Sequence, residues 1–256
     1  MKLTVLGCSG SIPGPDSPAS GYLLESGSTR IALDLGNGTL GAMQRVLDPF
    51  DLDALFFSHL HPDHCADFGA LTVHRRYRPS PPYDPRARRL LVHAPDDAPE
   101  RLAALYAPTA AERPETDLSD VFDFRALGTE PVTVGPFTVR AVEVAHLCPT
   151  WGFRVEAEGR VLAYTGDTGP CGRLTELAAG AHVLLAEASW EHHEDAPTNI
   201  HLSGRQAAEV AKTAAAERLL LTHLVPWTDH EAIEAEAKAT FDGATELVRP
   251  GATYEV

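Results

Sequence analysis

Five short apolar runs in this chain each lead into a residue that can bind a metal or carry a proton. Ala54 to Ser58 precedes His59, and Val139 to Val144 precedes His146. Val161 to Tyr164 precedes Asp167, Val183 to Ala186 precedes Glu187, and Leu219 to Leu221 precedes His223. Runs of this length, punctuated by Gly, Pro and Asp, read as buried β-strands. Strands hold the residues at their ends rigidly while the following loops open outward, so polar groups placed there collect into sites. Further strands are predicted at Lys2 to Gly7, at the hairpin Gly21 to Ser26 and Arg30 to Asp34, at Arg89 to His93, and at Val132 to Val134. Helices are predicted at Leu40 to Leu47, Cys65 to Tyr77, Ala98 to Tyr106, Leu174 to Ala179 and Asp229 to Phe241. An Ala-rich helix opens at Ser203, where Ser203 and Gln206 have the form of a capping box. Helices recurring between strands predict layers of sheet covered by helices. Pro108 to Ser119 reads as irregular. No repeat or low-complexity linker divides the 256 residues, which are read as one domain, 1–256.

The densest chemical signal is His59-Leu60-His61-Pro62-Asp63-His64. Neutral imidazole and carboxylate are ligands for borderline and hard divalent metals. In extended backbone, residues i and i+2 point the same way, so His59 and His61 can share one metal. Pro62 helps to turn the chain, and Asp63 and His64, at the start of the next helix, can face a second metal. Three histidines and an aspartate within six residues exceed what a helix cap and a polar surface require. His146, Asp167 and His223 are further candidates in the same strand-end setting. A carboxylate can place one oxygen on each of two metals, which makes Asp167 the natural bridge.

The formal net charge of −15 argues against a surface that grips nucleic acid through many phosphates. It leaves room for a small phosphorylated ligand, because two divalent ions reverse the local field. The N-terminal apolar run is too short for a signal peptide, and no stretch is long enough to span a bilayer. The expectation is a soluble cytoplasmic protein with no membrane partner. Cys8, Cys65, Cys148 and Cys171 show no paired spacing and are expected to be reduced and mostly buried.

In this order, Leu6-Gly7-Cys8-Ser9-Gly10-Ser11, the His59 to His64 run, His146, Asp167 and His223 resemble the metallo-β-lactamase fold. The likeness is to the branch that includes the tRNA-processing ribonuclease Z and related phosphodiesterases, and it covers nearly the whole chain. It implies an α/β fold, a four-layer αββα sandwich with the site between two sheets. It also implies two divalent metal ions, with zinc expected and manganese or iron also compatible with such donors. His59, His61 and His146 would serve one metal; Asp63, His64 and His223 would serve the other; Asp167 would bridge. Asp63 could also hold the nucleophilic water as a base. Glu187 and His201 match a Glu and a His that sit together beside the phosphate in that branch. A carboxylate next to an imidazole favours imidazolium, so His201 could protonate the leaving oxygen. The related nucleases imply a homodimer, on no residue of this chain.

Ribonuclease Z proper carries a long tRNA-binding arm between the positions of His146 and Asp167. Only 20 residues separate them here, and they read as two strands joined at Glu158-Gly159. With the acidic charge, this points to a smaller phosphodiester substrate. Gly14 to Leu23, Arg75-Arg76-Tyr77, Glu187-Ala188-Ser189-Trp190, His201 to Gly204 and Leu220 to His223 are similar to a group of actinobacterial proteins of this fold described as cyclic-nucleotide-degrading phosphodiesterases. That resemblance implies hydrolysis of a 3′,5′-cyclic nucleotide to the 5′-monophosphate. Arg75 and Arg76 are candidates for phosphate contact, though charged residues there read first as a solvated helix face. Trp151, Trp190 and Trp227 read as core or rim, with base stacking as the alternative. The metal ligands alone leave open an RNA-processing nuclease, a hydrolase of another ester, lactone or thioester, and a metal-binding regulatory protein without turnover.

Overall fold

A computed structural model describes residues 1–256. It contains two seven-stranded sheets stacked face to face, with helices on both outer faces. In the first sheet the strands are β1 (Lys2–Gly7), β2 (Gly21–Ser26), β3 (Thr29–Leu33), β4 (Ala54–Phe56), β5 (Leu90–Ala94), β6 (Phe122–Ala126) and, from the far end of the chain, β14 (Thr253–Glu255). They lie in the order β14-β1-β2-β3-β4-β5-β6. The second sheet runs from β7 (Val132–Val134) through β8 (Phe137–Glu143), β9 (Trp151–Ala157), β10 (Arg160–Tyr164), β11 (Val183–Glu187) and β12 (Arg218–Thr222) to β13 (Ala244–Leu247), in chain order. The architecture is the αββα sandwich.

Each strand divides its side chains between two cores, because alternate residues face opposite sides. Between the sheets, Val5, Tyr22, Leu33 and Phe56 meet Val139, Phe153, Leu162, Leu185 and Leu220. On the outer face of the first sheet, Leu23, Ala32, Leu55 and Val92 pack under α1 (Thr39–Met43), α3 (Phe68–Tyr77) and α4 (Ala98–Tyr106). On the outer face of the second, Ala163, Leu184, Leu219 and Leu221 pack under α5 (Arg173–Ala178), α6 (Gly204–Thr213) and α7 (His230–Thr240). Strands β11 and β12 are buried on both faces, which explains why they read as continuous apolar runs rather than alternating ones. The capping box at Ser203 and Gln206 forms and starts α6.

Strand direction positions the site. β3 and β4 are parallel, as are β10, β11 and β12. β8 runs antiparallel to β9, and β9 antiparallel to β10, so β8 and β10 share a sense. The carboxyl ends of these strands therefore emerge along one edge of each sheet. Trp151 N–H donates to the Ser58 carbonyl at 2.9 Å, and Tyr164 Oη donates to Asp34 at 2.8 Å, joining the two edges.

Three local expectations are corrected. The helix predicted over Cys65 to Tyr77 is two helices, α2 (Pro62–Cys65) and α3, broken at Ala66-Asp67. Asp67 spends its carboxylate on the N–H of Leu40 at the start of α1 rather than in a continuous helix. Strand β6 was not predicted. It is an edge strand whose sequence, Phe-Asp-Phe-Arg-Ala, carries charges because one side is open. Helix α1 stops at Met43, short of the expected Leu47.

Candidate metal centre

The loop after β4 carries His59 and His61 in extended backbone, and Pro62 then starts α2, which presents Asp63 and His64. His146 follows β8, Asp167 follows β10, Glu187 ends β11 and His223 follows β12. The structure brings the seven candidate ligands together in two groups whose ligand atoms lie within 4.8 Å of one another, and Glu187 joins His201 and His223 in a third. One group is His59, His61, His146 and Asp167; the other is Asp63, His64, Asp167 and His223. Asp167 belongs to both. Its Oδ1 lies 3.1 Å from His64 Nε2, and its Oδ2 lies 3.2 Å from His223 Nε2 and 3.8 Å from His59 Nε2.

Surrounding groups fix which face of each imidazole carries a lone pair. Ser58 Oγ donates to Asp34 Oδ2 at 2.8 Å, so it accepts from His59 Nδ1 at 3.1 Å. His64 Nδ1 donates to the same Asp34 Oδ2 at 2.8 Å. His146 Nδ1 donates to the Ile200 carbonyl at 2.8 Å. Ser189 Oγ donates to Glu187 Oε2 at 2.9 Å and accepts from His223 Nδ1 at 2.9 Å. In all four rings Nδ1 bonds outward, which turns Nε2 toward the centre. Outer partners of this kind orient metal-binding histidines.

These inward-facing nitrogens crowd one another. His61 Nδ1 lies 3.0 Å from His59 Nε2 and 3.2 Å from His146 Nε2, and a single N–H at that position can serve only one of the two. His64 Nε2 and Asp167 Oδ1 are buried, and neither makes a hydrogen bond of proper geometry although they are 3.1 Å apart. Unpaired buried polar atoms are costly, and cations on the two groups would satisfy them together. Nitrogen and carboxylate donors of this number suit divalent ions.

The ionisation of the protein alone tells the same story. Burial pushes His59 well below its usual pKa, with the neighbouring His64 adding to the effect. Burial would also lower His64, but Asp167, Asp63 and Asp34 outweigh it and hold His64 well above its usual value. The carboxylates thus trap a proton where the site demands positive charge. Burial would raise Asp63 and Asp167; the imidazoles facing them overcome it and hold both well below the carboxylate range.

His201 lies at the rim of this centre. Its Nδ1 is 3.0 Å from Glu187 Oε1 and 3.9 Å from Asp167 Oδ2. Burial opposes its charging, yet Glu187 raises its pKa to about 9. Glu187 is buried, and its other contacts are the Thr168 N–H at 2.6 Å and Ser189.

Asp34, Ser58 and Ser189 were not singled out from the sequence. Asp34 sits at φ +58° directly after β3 and accepts from Ser58 N, Ser58 Oγ, His64 Nδ1 and Tyr164 Oη. A polar residue closing an apolar strand is the signal that marked the others, and it applies to Asp34 as well. Two glycines let the loops close in. A Cβ on Gly36 would lie 1.9 Å from the Asp63 carbonyl oxygen, and one on Gly10 would lie 2.4 Å from that of His223.

Arg75 and Arg76 are not solvated phosphate contacts. Arg75 is buried on α3, donating to the Val121 and Arg88 carbonyls, and Arg76 pairs with Asp120. His192 bonds to Ser203 through Nδ1, and no structure-borne partner links it to the centre. All four cysteines are free; Cys8 and Cys65 are buried, and Cys148 and Cys171 half-buried. No helix is long and apolar enough to cross a membrane.

Residues 29–224 match the family described as the Beta-lactamase superfamily domain. An uncharacterized protein of Mycobacterium leprae is 47% identical, over 100% of this chain and 89% of its own. The probable metallo-hydrolase YhfI of Bacillus subtilis is 27% identical over 100% of both chains. The crystal structure of YhfI superposes with a TM-score of 0.86, covering 100% of this chain and 98% of that one at 26% identity. A ribonuclease Z of Methanopyrus kandleri is 29% identical, over 94% of this chain and 93% of its own. The chain therefore belongs to the beta-lactamase superfamily, as a metal-dependent hydrolase of the metallo-β-lactamase fold in its ribonuclease Z-like branch.

Proposed function

We propose that the protein is a two-metal phosphodiesterase acting on a small phosphodiester, a 3′,5′-cyclic nucleotide, and releasing the 5′-monophosphate. The observation that carries this reading is the Glu187–His201 pair, 3.0 Å apart at the rim of the centre, with Glu187 buried. Cleaving a phosphodiester expels an alkoxide, which needs a proton. An imidazolium with its pKa at about 9 is charged at neutral pH and suited to supply it.

His59, His61, His146, Asp63, His64 and His223 would hold the metals, with Asp167 shared, and zinc is the ion we favour. Two bound divalent ions would provide hydroxide at neutral pH and draw in the phosphate oxygens. Asp63 lies far below the pKa of an effective base, so its fitting task beside its ligand role is to accept a hydrogen bond from the nucleophilic water and aim it. His201 Nδ1–H donates to Glu187, which leaves Nε2–H for the substrate. As the water oxygen bonds to phosphorus and the P–O3′ bond breaks, the Nε2 proton passes to O3′. Glu187 keeps His201 oriented and stabilises its charge before transfer.

The loop between His146 and Asp167 supports a small substrate. It consists of β9 and β10, joined by the Glu158-Gly159 turn, with no protruding arm. The charge of −15 also disfavours a polyanionic RNA. The test is release of 5′-AMP from 3′,5′-cyclic AMP by protein loaded with zinc or manganese, with and without chelator. Chelator-sensitive release is expected, and His201→Ala should keep its metal while losing about 100-fold or more in turnover. Absence of turnover with two metals demonstrably bound would overturn the cyclic-nucleotide assignment.

A further inference from the structure

We infer that Trp227 is the stacking platform for the base of the substrate, a specificity-determining residue that the metal ligands do not supply; this rests on the phosphodiesterase reading above. Of the three tryptophans, Trp151 and Trp190 are half-buried, whereas Trp227 is 68% exposed. It stands four residues beyond His223, in the turn that follows the last candidate ligand. Two neighbouring segments fix that turn. Pro226 packs beside Gly14, on the loop whose Ser11 N–H reaches His223 Nε2 at 3.4 Å. Asp229 N–H donates to Glu191 at 3.3 Å, on the loop that leads to His201. Trp227 thus lies between the two loops that border the centre on its His223 side.

It is not alone. Ile12, 47% exposed, sits on the first of those loops, and Leu147, 64% exposed, directly follows His146. Three of the molecule's exposed large apolar side chains therefore belong to loops that carry or contact candidate ligands. Large apolar groups left exposed on such loops point to a binding surface rather than to packing. Charge favours one kind of occupant. The chain as a whole carries a formal charge of −15. Beyond the centre itself, Coulombic attraction offers an anionic substrate little here, so additional affinity must come from an uncharged part of it. A flat heteroaromatic base offers a face that an indole can stack on.

Titration of the metal-loaded protein with 5′-AMP, followed by tryptophan fluorescence, tests this, with ribose 5-phosphate as the base-free control. Saturable quenching by 5′-AMP alone is expected, and Trp227→Ala should abolish it. In turnover, Trp227→Ala should raise KM for cyclic AMP about tenfold with kcat nearly unchanged, and Trp227→Phe should restore most of the loss. KM for the base-free ribose 3′,5′-cyclic phosphate should not move. Quenching that is absent in the parent protein, or unchanged in Trp227→Ala, would overturn the stacking role while leaving the proposed reaction standing. Quenching that Trp227→Ala removes, in a protein that turns over no cyclic nucleotide, would uphold the stacking role and overturn the reaction instead.

Discussion

Replacing Glu187 with glutamine should move the alkaline limb of the activity profile rather than scale the whole profile down. Glu187 is what raises His201 to about 9 against the opposing effect of burial. Relative to the ordinary histidine value of 6.5, this favours the imidazolium by about 3 kcal/mol. At pH 8 a group with a pKa of about 9 is about 90% protonated, and one at 6.5 about 3%, so the fraction in the acid form falls about thirtyfold. In the variant, burial still lowers the value and Asp167 still raises it, so the expected loss is on the order of thirtyfold. The same shift contributes to stability. Because the folded pKa is raised, the contribution is complete below about pH 6.5 and is lost as pH rises through about 9. The assay is kcat for cyclic AMP between pH 5.5 and 10 in metal-saturated protein, with bound metal measured at each point. The parent limb should descend at clearly higher pH than the variant limb. A variant limb that coincides with the parent's, or a uniform loss at every pH with metal retained, would refute the assignment of His201 as an acid tuned by Glu187.

Two further expectations follow from buried groups. Asp34→Asn replaces a carboxylate that accepts four hydrogen bonds with an amide that must donate, so His59 and His64 lose their fixed orientation. Metal affinity should fall about 10- to 100-fold in competition with a chromophoric chelator, and unchanged affinity would remove the orienting role. His93 is buried on β5 against Phe56 with neither ring nitrogen hydrogen-bonded, and burial, then Arg125, lower its pKa. A depressed histidine loses stability as pH falls below about 6.5, so His93→Leu should gain about 1 kcal/mol or more in urea unfolding at pH 5 and less at pH 7.5. A leucine variant weaker at both pH values would show that the ring is held by packing alone.

The legible part of this protein was the part encoded over short distances. His59 to His64 fits into one strand end and one helical turn, so residue spacing alone carries its geometry. His146, Asp167 and His223 stood out because each closes a run that is apolar enough to be a buried strand. Asp34 closes such a run too, but an aspartate after a hairpin strand has the look of a turn residue, and its partners lie 24, 30 and 130 positions away. Arg75 was misread for a related reason. A charged residue on a helix is ordinarily solvated, and the carbonyl of Val121 that receives its guanidinium is 46 residues distant. Edge strand β6 escaped because its open side removes the apolar signature on which strand reading depends.

Glu187 joins two tasks that its position in the sequence would not connect. One oxygen holds His201, and the other receives the Ser189 hydroxyl that in turn receives the proton of His223 Nδ1. The same carboxylate thus tunes the acid and fixes the lone pair of a metal-facing imidazole. An amide in its place can keep one acceptor but must turn a donor toward one of these partners. If the donor faces Ser189, the hydroxyl proton is pushed toward His223 Nδ1, and the lone pair that should face the centre is then protonated. This is why bound metal has to be followed together with rate in Glu187→Gln. Ser189→Ala separates the two tasks: it leaves the Glu187–His201 contact in place, so metal affinity should fall while the alkaline limb, measured at saturating metal, stays where the parent's lies.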